Sequence, residues 1–471
     1  MIPRISQRNS FLCARETFGF ALSRLRSKME KIKALLIGNG AREHAIAESI
    51  AKSADLFAFM SARNPGIIKL AKEFSVGDIK DPNSVLKFAL HIRPDYVFVG
   101  PEEPLAQGVA DILIKNGIKV CGPTKGAARL ESDKGFCRNL LQKYVKDGIP
   151  KFAVCNTVRE IDTAMRIFDT ELVVKPAGLT GGKGVKIQGE HLKDFLEVRN
   201  YAYEIVEKQI GGMNTVVLEE KLEGEEFSLQ AFTDGRKIVP MPLVQDHKRA
   251  FENDEGPNTG GMGSYSDSNH LLPFVEKKDL EDAVKIMERS VQALQKEYGI
   301  IYKGILYGGF MLTAHGPKLL EYNVRFGDPE AMNVLPILKT DFNSICLSIL
   351  ESRLINADFE KKASVCKYLV PKGYPDNPEA DAQVGINESL VKQKGAKLYY
   401  ASVNEDDGKI STTKSRSFGV VGFDTTISGA EKMTESAISA VKSDKLFYRK
   451  DIGTDKLVQK RVHHMIKIRG R

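Results

Sequence analysis

The chain has 471 residues, of which 42% are hydrophobic and 28% charged, with 40 Gly and 19 Pro, so it suits about three globular α/β domains and is neither disordered nor collagenous. No run approaches the roughly 18 apolar residues of a membrane span. The six cysteines (13, 121, 137, 155, 346 and 366) form no CxxC pair and no His-partnered metal spacing, which points to a reducing, cytoplasmic setting.

The formal charge of +8 is concentrated at the ends: residues 1–28 carry six cations against Glu16, and residues 456–471 carry six and no acid. The body is therefore slightly acidic and lacks the basic footprint of a nucleic-acid binder. Residues 1–28 read either as an organellar transit peptide or as an over-extended start ahead of an initiator at Met29.

From Ile32 a short apolar run, IKALLIG, a glycine turn and helix-period apolar positions at Ala45, Ile46 and Ile50 begin a βα alternation that continues to Gly122. Strands are expected at YVFVG (96–100) and IKVCG (118–122). The pattern predicts a doubly wound parallel sheet over 29–131 that binds ligands at the carboxyl edge of its strands. An amphipathic helix follows between Glu131 and Pro150, and strands then alternate with charged helices to Phe232. Residues 233–275 hold a long Gly-, Pro- and Asn-rich segment, NDEGPNTGGMGSYSDSN, expected to be a loop without structure of its own. A long helix, KKDLEDAVKIMERSVQALQKEYG, and a hairpin, ILYGGFMLTAHGPKLLEYNVRFG, come next. Short strands and one amphipathic helix over 359–455 predict a compact α+β domain, and 456–471 a basic tail.

Three segments carry chemistry. The turn Gly38-Asn39-Gly40-Ala41-Arg42-Glu43-His44 begins as GxG but has Glu43 where a dinucleotide fingerprint needs its third glycine. As a helix N-terminus with free amides, and with Arg42 and His44 in the first turn, it suits a phosphate monoester; an ordinary tight turn is the alternative. The second segment, Lys175-Pro-Ala-Gly-Leu-Thr-Gly181-Gly182-Lys183-Gly184, is not a Walker A loop because Gly184 stands where Ser or Thr should follow the lysine. Its glycines allow a hairpin whose amides close over a triphosphate, with Lys175 and Lys183 adding charge; a plain β-hairpin is the alternative. In the third, Glu321 and Asn323 share one face of a strand and suit a magnesium ion held jointly with substrate phosphates. Arg325 is expected on that face too, against a transferring phosphoryl group; a solvated polar edge is the bland reading.

Two further segments are weaker signals. VVLEEKLEG reads as an interdomain hinge whose backbone near Glu219, Glu220 and Leu222 could meet an adenine edge, with Glu226 on a ribose. QDHKRAF gathers Asp246, His247, Lys248 and Arg249 ahead of the glycine-rich segment and could bind a small zwitterion or phosphate, although a charge run is usually a solvated face.

As a set, LLIGNGAREHAIA, GPEEPLAQGVAD, GPTKGAARLESDKGF, GLTGGKGV, QDHKRAFENDEGPNTGGMG, LEYNVRFGDPE and FYRKDIG closely resemble the phosphoribosylamine–glycine ligase (glycinamide ribonucleotide synthetase) family of ATP-grasp enzymes, from about Ile32 to Gly453. The resemblance implies an α/β fold with an N-terminal Rossmann-like substrate domain, a central ATP-grasp domain over 132–358 with 152–222 as its lid subdomain, and a small C-terminal α+β domain. It implies an ATP-dependent ligase of purine biosynthesis that joins glycine to 5-phosphoribosylamine through a glycyl phosphate, relying on positioning and charge neutralisation.

By the same resemblance Lys134, Lys175, Gly181, Gly182, Lys183, Gly184, Glu219, Glu220, Leu222 and Glu226 contact ATP, and Glu321 with Asn323 holds Mg2+ or Mn2+. Arg325, Lys175 and Lys183 are the expected catalytic groups. Asn39, Gly40, Arg42, His44, Glu102, Asp246, Lys248, Asn258, Thr259, Gly260 and Gly261 are expected on the substrates. The implied partners are small molecules, with no nucleic acid and no membrane, and the implied state is a monomer or weak homodimer with one activity. The chain departs from the pattern at Gly309, where several ATP-grasp ligases place Gln or Glu, so one or two metal ions stay open. KPAGL also replaces the commoner KADGL, keeping Lys175. Competing readings are an ATP-grasp ligase with another acid or amine, a nicotinamide oxidoreductase built on residues 30–130, and a nucleotide-binding regulator without turnover. Glu43 and the Glu321/Asn323 strand count against the oxidoreductase.

Overall fold

The computed structural model describes residues 31–181 and 184–470; the leader, Met29 and the pair Gly182 and Lys183 lie outside the described residues. Strands β1 (Ile32–Ile37), β2 (Ala54–Met60), β3 (Glu73–Val76), β4 (Tyr96–Val99) and β5 (Val120–Cys121) form a parallel sheet in the order β3-β2-β1-β4-β5. Ala34 to Ile37 are all buried, as expected for a parallel strand covered on both faces. The strand order reverses between β1 and β4, so the turns after Ile37 and Val99 share one crevice.

The next unit is an antiparallel sheet of β6 (Phe152–Cys155), β7 (Leu172–Pro176), β8 (Lys186–Ile187) and β9 (Val216–Glu220), in the order β6-β9-β7-β8. Two helices, Val158–Met165 and Phe195–Lys208, cover it and build a separate small core with Ile161, Val174, Val198, Ile205 and Leu218. A side chain at Gly178 would collide with the carbonyl of Gly211, so the start of the glycine-rich turn after β7 can lie directly on that backbone.

The segment expected to be a structureless loop is folded. After β10 (Glu225–Thr233) come β11 (Ile238–Pro240), β12 (Gln245–Asp246), β13 (Arg249–Phe251), β14 (Glu255–Asn258) and β15 (Gly263–Ser266). Strands β13 and β14 pair as a hairpin that turns through Asn253, Asp254 and Gly256, all at positive φ. The glycines and asparagines therefore serve turns between very short strands, which periodicity cannot register. The long helix Lys277–Tyr298 forms as predicted and stops at Gly299, φ 69°.

The predicted hairpin, β16 (Gly304–Thr313) with β17 (Gly316–Asn323), completes a sheet ordered β11-β10-β16-β17. Its register slips at Gly309/Phe310, so that Leu319 pairs with Phe310 and Glu321 with Gly309. Pro317 and Leu319 are buried, Leu320 and Glu321 are both half-buried, and Tyr322 is buried again. This bulge turns Glu321 and Asn323 to the open side, whereas unbroken alternation would put Glu321 on the buried face of Leu319.

After residue 359 come β18 (Ala363–Pro371), β19 (Gln383–Ile386), β20 (Lys397–Tyr400), β21 (Val403–Asp406), β22 (Lys409–Thr412) and β23 (Phe418–Asp424). Strand β18 pairs with β15 on one side and β23 on the other, so one sheet, β12-β15-β18-β23-β20, runs across the residue-359 boundary. The predicted amphipathic helix, Ile427–Ile438, packs on β18 and β23. The stretch read as a basic tail is instead a helix, Asp455–Ile468, capped by Thr454 and docked through Leu457, Val458 and Met465. Its cations find acids distant in sequence: Arg461 pairs with Glu225 and Asp254, and Arg469 with Asp279. Among the described residues no helix is long and apolar enough to cross a membrane.

Candidate active site

Between the β6–β9 sheet and the β10/β16/β17 sheet lies a cleft of about 860 Å³, reached from the N-terminal region by Glu102 and Glu131. Lys134, Lys175, Gly181, Glu219, Leu222, Glu226, Asp246, Lys248, Asn258, Thr259, Gly260, Glu321, Asn323 and Arg325 line it together.

Lys175 leaves the end of β7 and is held by Glu219 of β9, with Nζ 2.8 Å from the carboxylate; Arg138 donates its Nε to the same carboxylate at 2.7 Å. The carbonyl of the bulged Leu320 accepts from Arg138 Nη2 at 2.6 Å and from Lys175 Nζ at 3.1 Å. Burial would lift the Glu219 carboxyl, but Arg138 and Lys175 outweigh it and hold it at about 2. The Glu219 side chain is thus the counter-ion of two buried cations. Lys134 donates to the carbonyl of Gly178 at 3.1 Å, and burial depresses its ammonium.

Lys248 Nζ lies 3.1 Å from Glu226 and 4.0 Å from Glu321. Glu226 is the main cause holding that ammonium above its ordinary range. Burial opposes ionisation of Glu321, yet Lys248, Lys175, Lys134 and Arg325 together hold its carboxyl below the usual range. A divalent cation needs an ionised hard-oxygen ligand with open positions for phosphate oxygens, and Glu321 beside Asn323 supplies that donor set. No cluster of three or more His, Cys, Asp or Glu suited to a metal forms among the described residues.

Arg325 departs from expectation. It follows the end of β17 and is clamped by Glu102, which accepts from Nε at 3.0 Å, and by Glu131, 3.1 Å from Nη2. Against the effect of burial, Arg325 and Arg42 hold Glu102 at about 2, while burial pushes Glu131 up to about 7. Arg325 thus lines the cleft as the partner of two acids rather than as a free cation.

The first glycine turn departs further. One of its amides is taken: Glu43 accepts from Gly40 N at 2.7 Å, and also from Arg42 Nε at 2.6 Å. Side chains at Gly38, Gly40 or Gly100 would run into Glu43, whose carboxylate packs against all three glycines. His44 turns away, accepting from Tyr400 N at 3.1 Å and packing on Tyr399, and burial lowers its imidazole to about 4. Asn39 accepts from Ser61 Oγ at 2.7 Å. Arg42 donates to the Phe326 carbonyl and comes within 3.9 Å of Glu102. None of Asn39, Gly40, Arg42 and His44 lines the cleft, and neither do Glu220, Gly184 and Gly261. Glu220 accepts from Lys151 N at 2.8 Å, and Gly261 packs behind Asp246 and Pro329.

Around Lys248 the glycine-rich segment is tightly held. Thr259 donates both its N–H and its hydroxyl to the Lys248 carbonyl, at 2.7 and 2.8 Å. Arg416 donates to the carbonyls of Gly260 and Gly261 and pairs with Asp328 at 2.9 Å. Burial, and then Glu330, raise the Asp246 carboxyl well above its ordinary range. Sequence reasoning missed Arg138, Glu131, Asp328, Glu330 and Arg416. Three of them stand inside motifs quoted above, GPTKGAARLESDKGF and LEYNVRFGDPE; Arg138 and Arg416 carry no local signal.

A parallel N-terminal sheet, a lidded cleft between two antiparallel sheets, and buried lysines facing an acid–amide pair define an ATP-grasp protein. Family profiles agree in succession: phosphoribosylglycinamide synthetase N domain over 32–131, its ATP-grasp (A) domain over 132–331, and its C domain over 364–455. The chain belongs to the phosphoribosylglycinamide synthetase family. It is 50% identical over 439 residues to the phosphoribosylamine–glycine ligase of Methanothermobacter thermautotrophicus, covering 93% of this chain and 100% of that one. It is 48% identical over 437 residues to the protein of the same name from Methanobrevibacter smithii, with the same coverage. Among solved structures, the phosphoribosylamine–glycine ligase of Thermotoga maritima superposes with a TM-score of 0.76 at 28% identity, covering 89% of this chain and all of that one. The Campylobacter jejuni biotin carboxylase, at 12% identity, TM-score 0.69 and coverage of 94% and 100%, shares the fold alone.

Proposed function

We propose that the protein is an ATP-dependent ligase joining glycine to 5-phospho-D-ribosylamine, giving glycinamide ribonucleotide, ADP and phosphate. The observation that carries this reading is end-to-end similarity at about half identity to proteins of that name, in a chain whose Lys175, Lys248, Glu321 and Asn323 face one cleft.

In this reading Lys134, Lys175 and Gly181, with Gly182 and Lys183, bind the ATP phosphates. The hinge at Leu222 meets the base and Glu226 the ribose. Glu321 and Asn323 hold Mg2+ or Mn2+, which supplies charge neutralisation at the phosphates. A glycine carboxylate oxygen attacks the γ-phosphorus as its bond to ADP breaks. The amine of the phosphosugar then attacks the acyl carbon of the glycyl phosphate; the C–N bond forms, the acyl C–O bond breaks, and the departing phosphate takes the proton that the amine gives up. The amine is already nucleophilic, so the chain's contribution is orientation and preorganised charge. Glu219 acts by fixing Lys175, and Glu102 and Glu131 by fixing Arg325. Asp246, Lys248, Asn258, Thr259 and Gly260 close over the small substrates, while Arg42 acts on them through Glu102.

ADP release tests the reading, with ATP, magnesium, glycine and freshly generated phosphoribosylamine each omitted in turn. Turnover that requires both small substrates is expected. Turnover indifferent to glycine, or none with the full set, would overturn it.

A further inference from the structure

The helix Asp455–Ile468 begins where the matched C-domain profile ends, at residue 455, and no step above uses it. It nevertheless brings Lys460, Arg461 and His464 to the cleft. Arg461 reaches in two directions. Nη1 is 3.4 Å from Glu225, the first residue of β10 after the hinge, and Nη2 pairs with Asp254 at the turn of the β13–β14 hairpin. His464 Nδ1 adds a second contact to Glu225 at 2.6 Å.

Both ends of this bridge adjoin groups that face the cleft. Glu225 is buried, and its neighbour Glu226 points the other way, to Lys248. Asp254 tops the hairpin that starts one residue after Lys248 and ends on Asn258. Burial opposes ionisation of Asp254, but Arg461, His247 and Arg449 together outweigh it and hold the carboxyl at about 2, so the bridge stays charged through the physiological range. Leu457, Val458 and Met465 of the helix are buried and Val462 and Ile468 pack beside them, which docks the helix without fixing where its Arg461 guanidinium reaches.

We propose that Arg461 is a positioning residue: by spanning Glu225 and Asp254 it sets the distance between the hinge strand and the substrate hairpin, and so the placement of Glu226 on the nucleotide and of Lys248, its ion-pair partner, beside it. The role depends on a two-pronged guanidinium, since a lysine reaches one acid at a time. It rests on the ligase reading for its kinetic readout, but not for its structural one.

The test compares the full-length wild type with Arg461→Ala, Arg461→Lys and Arg469→Ala. Arg469 pairs the far end of the same helix to Asp279 at 2.7 Å, away from the hairpin, so its loss reports on helix docking alone. Hydrogen exchange over residues 249–258 and the KM for ATP against kcat are measured on each. For Arg461→Ala, faster hairpin exchange and a KM raised by about tenfold, with kcat changed less, are expected. Arg461→Lys should recover part of the loss, and Arg469→Ala should keep the wild-type values. A KM within about twofold of wild type in Arg461→Ala, or an equal loss in Arg469→Ala, would overturn the proposal. Should Arg461→Ala fail to fold, Asp254→Asn removes the other end of the bridge and must give the same exchange pattern. If wild-type protein releases no ADP with glycine and phosphoribosylamine, the ligase reading fails, and the hairpin exchange alone then decides the role of Arg461.

Discussion

The turn Gly38–His44 after β1 and the cleft end of β17 each set charged and amide side chains at the end of a strand, but the fold uses them oppositely. In the turn, Glu43 consumes the amide and the guanidinium nearest it, and His44 is spent on the contact with β20. At β17 the fold leaves the polar groups open: a bulge swings Glu321 outward while a buried acid, Glu219, neutralises the cations behind it. A glycine turn beside a charge is thus a binding element only when no side chain of the chain already fills it.

The sharpest way to break this contrast is Glu321→Ala, which should lower turnover by roughly a thousandfold or more at saturating magnesium, measured as ADP release. A kcat near that of wild type would take the metal away from β17. Next, Glu219→Ala strands Arg138 and Lys175 without their buried partner and should destabilise the protein by about 3–5 kcal/mol in denaturant melts. A change under about 1 kcal/mol would mean that the Leu320 carbonyl suffices to hold both cations.

On the other side of the comparison, His44→Ala should lose about 1–3 kcal/mol through an emptied buried site while leaving the KM for the sugar phosphate unchanged. A raised KM with unchanged stability would return His44 to the binding machinery. Arg42→Ala should raise that KM a few-fold through Glu102 and leave ATP affinity near normal; loss of ATP binding would move Arg42 to the nucleotide.

The smallest effect is on the pH profile of stability. Glu131 titrates at about 7 in the fold against an ordinary 4.5, so the folded state holds its proton longer, and its contribution falls as pH rises from about 4.5 to about 7. Glu102 and Glu219, held at about 2, act in the opposite sense: their contribution is present above about 4.5 and lost as pH falls toward 2. Asp246, also raised by burial, adds to the first slope, so Glu131→Gln should reduce that slope in melting curves and leave the second; an unchanged slope above pH 4.5 would show that Glu131 does not contribute to it.

Much of this architecture was legible from local pattern. The buried run in β1, the helix from Lys277 to Gly299 and the β16–β17 hairpin each announce themselves within a window of a few turns or strands. The segment 246–261 did not, because strands of two to four residues are shorter than any period that could reveal them. Nor did the helix Asp455–Ile468, whose cations read as surplus until Glu225, Asp254 and Asp279 come beside them.

By itself the sequence determined the fold class, the family and the residue types that meet in the cleft, since motif spacing and hydrophobic period are properties of neighbours along the chain. Only the tertiary structure decided which charges are free and which are spent. Arg138 meets Glu219 across 81 positions and Arg325 meets Glu102 across 223, and a buried charge takes its state from whatever stands within a few ångströms, however far away along the chain.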